Sequence, residues 1–298
     1  MSDVSADCQG GTGRVGLAWK GSRGLRLRRL PKGDPVGDRL RDKVCIVTGA
    51  AQGIGAAYAR AMAAEGADVA IIDLKRIDQA GPVKDDIEAL GRRALVIEAD
   101  VSDGEQMAAM GKQVVDTLGR VDVLVNNAGL MFDQLTATWD DFLAVNFMGV
   151  IHASNGVLPY LWEQCSGSIV NISSNAAFPL SLPMLFQMPD DAPAPTLAPE
   201  GYGMTKWMII RQTKTMAQLL GSRNIRVNAV CPGVTMSAAT KAVVPGAIID
   251  SLVETSVLKS SLEPEDMTGV VVFLAADESS KMSGQVLIND AGTWIGSV

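Results

Sequence analysis

The chain has 298 residues, 47% of them hydrophobic and 20% charged, a globular mixture that fits one large α/β domain better than two small ones. Its net charge of −7 is unevenly spread: residues 1–43 carry ten Lys/Arg against five Asp/Glu, and the remaining 16 against 28 leave residues 44–298 at −12. An acidic body of this kind argues against nonspecific nucleic-acid binding. Cys8, Cys45, Cys165 and Cys231 lie far apart and fit no zinc spacing, so free thiols in a reducing compartment and no metal are expected. No apolar run reaches the roughly 18 residues of a membrane span, and no apolar stretch follows the basic N-terminus as in a secretory signal. The expectation is a cytoplasmic protein with no membrane span.

Residues 1–40 are rich in Gly and Arg and lack periodicity, with seven basic residues and no acid from Arg14 to Lys32. They read as a disordered basic extension, with a targeting peptide or a mistaken upstream start as alternatives. Gly11, Gly13 and Gly16 form a formal G-x-G-x-x-G, but no strand precedes it and no amphipathic helix follows, so it is a chance match. From Lys43 onward, short Val/Ile-rich runs alternate with amphipathic segments. Strands are predicted at 44–48, 68–73, 94–100, 121–126, 167–173, 225–231 and 286–289. Helices are predicted at 53–65, 83–90, 104–118, 138–161, 202–220 and 264–275. That alternation predicts βαβ units: a Rossmann-type, doubly wound, seven-stranded parallel sheet in a single α/β domain over 41–298.

The first predicted strand runs into Gly49-Ala-Ala-Gln52-Gly53-Ile54-Gly55 and then a helix. Glycines thus occupy a turn where a pyrophosphate must approach the backbone, and the helix N-terminus offers free N–H groups. The spacing is G-x-x-x-G-x-G, different from the usual dinucleotide fingerprint, yet the demand for close approach is the same. Asp73 ends the second strand, where a carboxylate can accept hydrogen bonds from ribose hydroxyls and repel a 2′-phosphate, favouring NAD over NADP. Lys75 and Arg76 pull the other way, as possible partners of a phosphate. Asp100-Val101 and Asn126-Asn127-Ala128-Gly129 close the third and fourth strands at the carboxyl edge of the sheet, suited to an adenine edge and a strand-end turn. His152, the sole histidine, has no metal or nucleophile pattern around it and reads as a packing or interface residue. Tyr202 and Lys206 stand four apart at the start of a helix, so phenol and ammonium share one face. Ser174 closes the fifth strand 28 residues earlier.

Taken in order, Thr48 to Gly55, Asp100-Val101, Asn126 to Gly129, Asn146 in Val-Asn-Phe-Met-Gly149, Ser174 in Asn-Ile-Ser-Ser, Tyr202-x-x-x-Lys206 and Pro232-Gly233 resemble the short-chain dehydrogenase/reductase family over about residues 40–298. The resemblance implies a catalytic tetrad of Asn146, Ser174, Tyr202 and Lys206. Tyr202 would exchange a proton with the substrate oxygen as hydride moves, although a free phenol, with a pKa of about 10, needs help near neutral pH. Lys206 would favour the phenolate by its charge and hold the nicotinamide ribose. Ser174 would hydrogen-bond the carbonyl or alkoxide oxygen, and Asn146 would anchor a water relaying protons toward the lysine. Pro232-Gly233 would bend the chain over the nicotinamide, with Thr235 and Ser237 near its carboxamide. The family often has a branched apolar residue where Thr235 stands.

Relatives commonly have about a dozen residues between the serine and the tyrosine, so 177–200 is a proline-rich insertion, with Leu180, Leu182, Met184, Leu185, Phe186 and Met188. Such residues can wall an adaptable apolar pocket, or pack at a subunit interface. The expected function is NAD-dependent, metal-free interconversion of a small hydrophobic secondary alcohol and its ketone. An NADP-dependent 3-ketoacyl reductase is the alternative, and a catalytically silent dinucleotide-binding regulator is the reading from another class. The resemblance also implies a homo-oligomer, often a tetramer, formed through the helices at 138 and 202 and the C-terminal strand.

Overall fold

In the computed structural model, seven parallel strands form one sheet: Val44–Thr48 (β1), Asp68–Asp73 (β2), Ala94–Glu98 (β3), Val123–Asn126 (β4), Gly167–Ile172 (β5), Ile225–Pro232 (β6) and Val286–Asn289 (β7). Their spatial order is β3-β2-β1-β4-β5-β6-β7, the doubly wound Rossmann arrangement expected from the sequence. The structure describes residues 37–74, 76–131, 137–178, 201–244 and 246–296. The basic stretch before Gly37, Cys8 and Lys75, and the 179–200 part of the insertion lie outside the described residues. Leu40, at the end of the extension assigned by sequence, is fully buried, and its N–H donates to Glu65 O at 2.8 Å.

The helices are Gly53–Ala64 (α1), Ala80–Ala89 (α2), Gly104–Leu118 (α3), Trp139–Phe142 (α4), Gly149–Gln164 (α5), Gly201–Leu220 (α6), Ala238–Val243 (α7), Gly246–Thr255 (α8) and Thr268–Ala275 (α9). Strands buried on both faces read as continuous apolar runs, and β1 is buried along its whole length. Cys45 and Val47 face a layer containing Tyr58, Met62 and Leu274, whereas Ile46 and Leu124 face Met107, Val157 and Leu161. Each such fully buried aliphatic side chain stabilises the fold by about 1.5–3 kcal/mol. On the second face α3 and α5 meet backbone to backbone: a Cβ added to Gly111 would lie 2.1 Å from Gly156 O, and one added to Gly156 2.3 Å from Met107 O.

The run Trp139–Gln164 is long and apolar enough, by length and composition, to cross a membrane, with mean hydropathy 1.2 over its window. Here Val150, Ala153, Val157 and Leu161 from that run are buried within the domain core. It is also not the uniform helix expected over 138–161. A capping box between Thr138 and Asp141 starts it, and Leu143–Met148 then widens into a π-helical turn. The cause is tertiary: Asn146, fully buried inside that turn, exchanges hydrogen bonds with the Leu130 backbone, accepting from N at 2.6 Å and donating to O at 3.1 Å.

Helices α7 and α8 were not expected from the sequence. No residue of α8 is buried. The spacing of Ile248, Ile249, Leu252 and Val253 was the available helical signal, and Ser237 caps α7 by accepting the Thr240 N–H at 3.1 Å.

Candidate active site

The order reverses between β1 and β4, so their carboxyl ends flank the crevice where open α/β sheets bind ligands. Gly49 (φ +65) and Gly53 (φ +58) sit there in the left-handed region that side chains disfavour. A Cβ on Gly55 would fall 2.1 Å from Gly49 O, so the first turn of α1 rests directly on the strand-end turn. At Gly53, by contrast, an added Cβ would meet nothing closer than Ser237 Cβ at 3.8 Å, which leaves the outer side of the turn open. Gln52, the N-cap of α1, makes no side-chain cap, so its side chain leaves the first N–H groups of the helix to another acceptor. An open glycine cradle at an uncapped helix N-terminus fits a pyrophosphate, with Gly49, Gln52, Gly53, Ile54 and Gly55 around it.

Asp73 reaches back to this turn. Its Oδ2 accepts the Ala51 N–H at 3.1 Å, and its Oδ1 accepts those of Leu74 and Arg76 at 2.9 and 3.2 Å. Oδ2, with one N–H donor among the described residues, keeps acceptor capacity that suits a ribose hydroxyl. Asp100 is turned inward, with Oδ1 accepting from Ser102 N and Oγ at 2.8 and 2.7 Å. Val101 is buried, and its carbonyl lies 3.2 Å from His152 Nδ1, so the histidine packs under this loop.

Thr48, quoted in the motif without a role, joins β1 to the end of β4. Its Oγ1 accepts from both Asn127 N and Ala128 N at 3.0 Å, while Asn127 Nδ2 donates to Thr48 O at 2.9 Å and Gly49 O at 3.1 Å. These bonds fix Gly129, where an added Cβ would lie 3.1 Å from Asn146 Oδ1 and 3.5 Å from Lys206 Nζ. Asn146 and Lys206 are thereby brought to the same point.

Lys206 is buried on α6, with Nζ donating to Ile172 O at 3.0 Å and lying 5.7 Å from the centre of the Tyr202 ring. Burial pulls its ammonium down to about 8. Ser173 and Ser174 divide their tasks at the end of β5. Ser173 Oγ donates to Lys206 O at 2.7 Å, tying β5 to α6, whereas Ser174 caps a short turn, accepting the Ala176 N–H at 3.1 Å. Thr205, another residue without a motif signal, lies between: Asn146 Nδ2 donates to its Oγ1 at 3.4 Å. Cys231 on β6 is buried near Lys206, and desolvation pushes its thiol up to about 11, against the lysine charge.

Pro232 ends β6, and Gly233 N donates to Asn289 O at 3.0 Å. Thr235 is buried, and its hydroxyl donates to Gly233 O at 3.1 Å, so the side chain stiffens its own loop. Its contact with a carboxamide would have to use the remaining acceptor capacity. Fold and crevice define an α/β protein of the dinucleotide-binding class, with Tyr202 and Lys206 facing each other on one helix.

Comparison with known proteins agrees with that class. A family model for short chain dehydrogenases matches residues 43–184, and one described as enoyl-(acyl carrier protein) reductase matches residues 193–293. The 3-oxoacyl-[acyl-carrier-protein] reductase of Thermotoga maritima is 36% identical over 262 residues, covering 86% of this chain and 100% of that protein. A 7α-hydroxysteroid dehydrogenase complexed with NADH and 7-oxo glycochenodeoxycholic acid superposes with a TM-score of 0.75 at 30% identity, over 85% of this chain and 95% of that one. A short chain dehydrogenase from Burkholderia cenocepacia J2315 in complex with NADP gives 0.73 at 34% identity, over 86% and 99%. The chain belongs to the short-chain dehydrogenase/reductase family and is an NAD(P)-dependent oxidoreductase acting on alcohol or ketone groups.

Proposed function

We propose that this enzyme interconverts a hydrophobic secondary alcohol and its ketone with NAD, using Tyr202 as the acid/base. The observation that carries the reading is the buried Lys206 ammonium, 5.7 Å from the Tyr202 ring and beside Asn146 across Gly129. The turn from Gly49 to Gly55 and Asp73 would hold the nicotinamide nucleotide, which would supply or accept the hydride. In the reducing direction the Tyr202 hydroxyl gives its proton to the substrate oxygen as the carbonyl carbon becomes tetrahedral, and in the oxidising direction it takes that proton back. The Lys206 charge stabilises the phenolate left behind. Ser174, with one lone pair engaged by Ala176, retains a hydroxyl proton to donate to the oxygen as charge builds there. Asn146 is assigned to the water relay toward Lys206, and Asp100, Val101, Asn127, Ala128, Pro232, Gly233 and Thr235 to the walls of the cofactor cleft.

Asp73 supports NAD, because a 2′-phosphate beside its carboxylate would add like-charge repulsion. The sequence similarities favour a second reading, NADP-dependent reduction of 3-oxoacyl thioesters, since reductases of that name from Thermotoga and Staphylococcus recur among the relatives. The steroid dehydrogenase with its NADH complex supports the first. Exposed Trp207 and Leu219 on α6 support assembly into a homo-oligomer, and a monomer by light scattering would remove that part of the proposal. The two readings separate in one matrix of rates: NADH and NADPH, each against cyclic or steroid-like ketones and against a 3-oxoacyl thioester. The first expects kcat/KM with NADH to exceed that with NADPH by about tenfold or more and ketones to outrun the thioester. Preference for NADPH with the thioester would establish the second.

A further inference from the structure

The turn that presents Ser174 is held from far along the chain. Ser174 caps the 3-10 turn Asn175–Ala177, so the direction of its hydroxyl follows the orientation of that turn. Two contacts tie this turn to the C-terminal segment. Asn175 Nδ2 donates to Asp290 Oδ2 at 3.3 Å, and the Phe178 ring stacks on Trp294 with centroids 5.2 Å apart and planes 15° apart. Asn175 and Asp290 are 3% and 4% exposed, so water competes little for their bond.

Asp290 is itself firmly placed. Its Oδ1 accepts the Gly292 N–H at 3.0 Å, its Oδ2 the Trp294 N–H at 2.8 Å, and its carbonyl the Thr293 hydroxyl at 2.7 Å. One carboxylate oxygen therefore joins the Ser174 turn and the Trp294 backbone. On its other side, Asp290 packs on Gly233, where an added Cβ would lie 2.8 Å from Asp290 Cα. The indole N–H of Trp294 is buried and has no hydrogen-bond partner among the described residues, so stacking rather than hydrogen bonding orients the ring.

We propose that Asp290 and Trp294 are positioning residues for Ser174, the carboxylate acting through Asn175 and the indole through Phe178. This rests on the reading of Ser174 as the group that binds the substrate oxygen. Small misplacements of a positioned group cost up to about a hundredfold in rate, and the effect expected of Asp290→Asn is a fall in kcat of about tenfold with the KM for the nicotinamide nucleotide within about twofold of wild type. Trp294→Leu should lower kcat about threefold, and Trp294→Phe, which keeps a ring for Phe178, should restore most of it.

The deciding measurement is a double-mutant cycle in the full-length enzyme, with kcat read on whichever ketone it turns over. In a Ser174→Ala background, Asp290→Asn and Trp294→Leu should produce no further loss. Losses of the same factor in both backgrounds, or no loss in the wild-type background, would overturn the positioning role and leave the reading of Ser174 intact. Undiminished kcat in Ser174→Ala alone would overturn that reading and the positioning role together. Should Asp290→Asn fail to fold by circular dichroism, the Trp294 series decides by the same criteria.

Discussion

The two ends of the cleft are built by different means. At the cofactor end, one contiguous turn from Gly49 to Gly55 follows directly on β1 and is tied to its neighbours, with Asn127 Nδ2 donating to Thr48 O and Gly49 O, the Gly49 and Ala50 N–H groups donating to Ile72 O, and the Ala51 N–H donating to Asp73. At the chemical end, Asn146, Ser174 and Lys206 come from three separate elements, a π-helical turn, a strand end and a helix: Leu130 holds Asn146, Ile172 holds Lys206, and Asp290 holds the turn that Ser174 caps. Changes at the first end should therefore act on nucleotide binding, and changes at the second on turnover.

The largest effect expected from that contrast is at Lys206. Lys206→Met removes the charge beside Tyr202 and should lower kcat by about 10³, within the range for losing acid–base assistance, with folding retained. A kcat within about tenfold of wild type would detach the lysine from the chemistry.

The same residue makes stability depend on pH. Its folded-state value of about 8 lies below the ordinary 10.5, so between those limits the unfolded chain binds more protons, and stability rises with pH. Below pH 8 the buried ammonium costs the fold its full penalty, on the order of 3 kcal/mol. Urea unfolding of wild type and Lys206→Met at pH 7.5 and pH 10 should show the variant's advantage shrinking at the higher pH. A constant difference would contradict the assignment.

At the cofactor end, Asp73→Ser should shift the kcat/KM ratio of NADP to NAD upward by about ten- to a hundredfold, by removing a negative charge where a 2′-phosphate would sit. An unchanged ratio would mean that Asp73 serves only its three backbone N–H partners. Gly55→Ala is expected to do least to the chemistry itself. Its new methyl would press on the Gly49 carbonyl, costing about 1–3 kcal/mol of stability and weakening nucleotide affinity, measurable by thermal unfolding with and without NADH. Full affinity and an unchanged Tm would show that α1 can move away from the turn at no cost.

This contrast also accounts for what could be read in advance. The seven strands, the glycine turn and the spacing of Tyr202 and Lys206 are local patterns, and a doubly wound parallel sheet followed from the alternation of strands and helices. The strand limits shifted where tertiary pairing ended early, as at Glu98, short of the Asp100 expected from the run of apolar residues. The π-helical turn was not legible, because it arises from Asn146 bonding to Leu130, and the sequence between them gives no sign of it. Asp290 was invisible as part of the site for a similar reason, since its partner Asn175 lies 115 positions away. Helix α8 has no buried residue, so no core-facing apolar stripe announced it.

The most direct test of the central claim follows reduced-nicotinamide absorbance over a panel of ketones, with wild type and Tyr202→Phe compared at saturating nucleotide. The account predicts ketone-dependent oxidation of NADH by wild type, a fall of about 10²–10⁴ in Tyr202→Phe, and unaltered nucleotide binding in both. Equal rates in the two proteins would contradict it, as would tight nucleotide binding with no turnover on any carbonyl substrate.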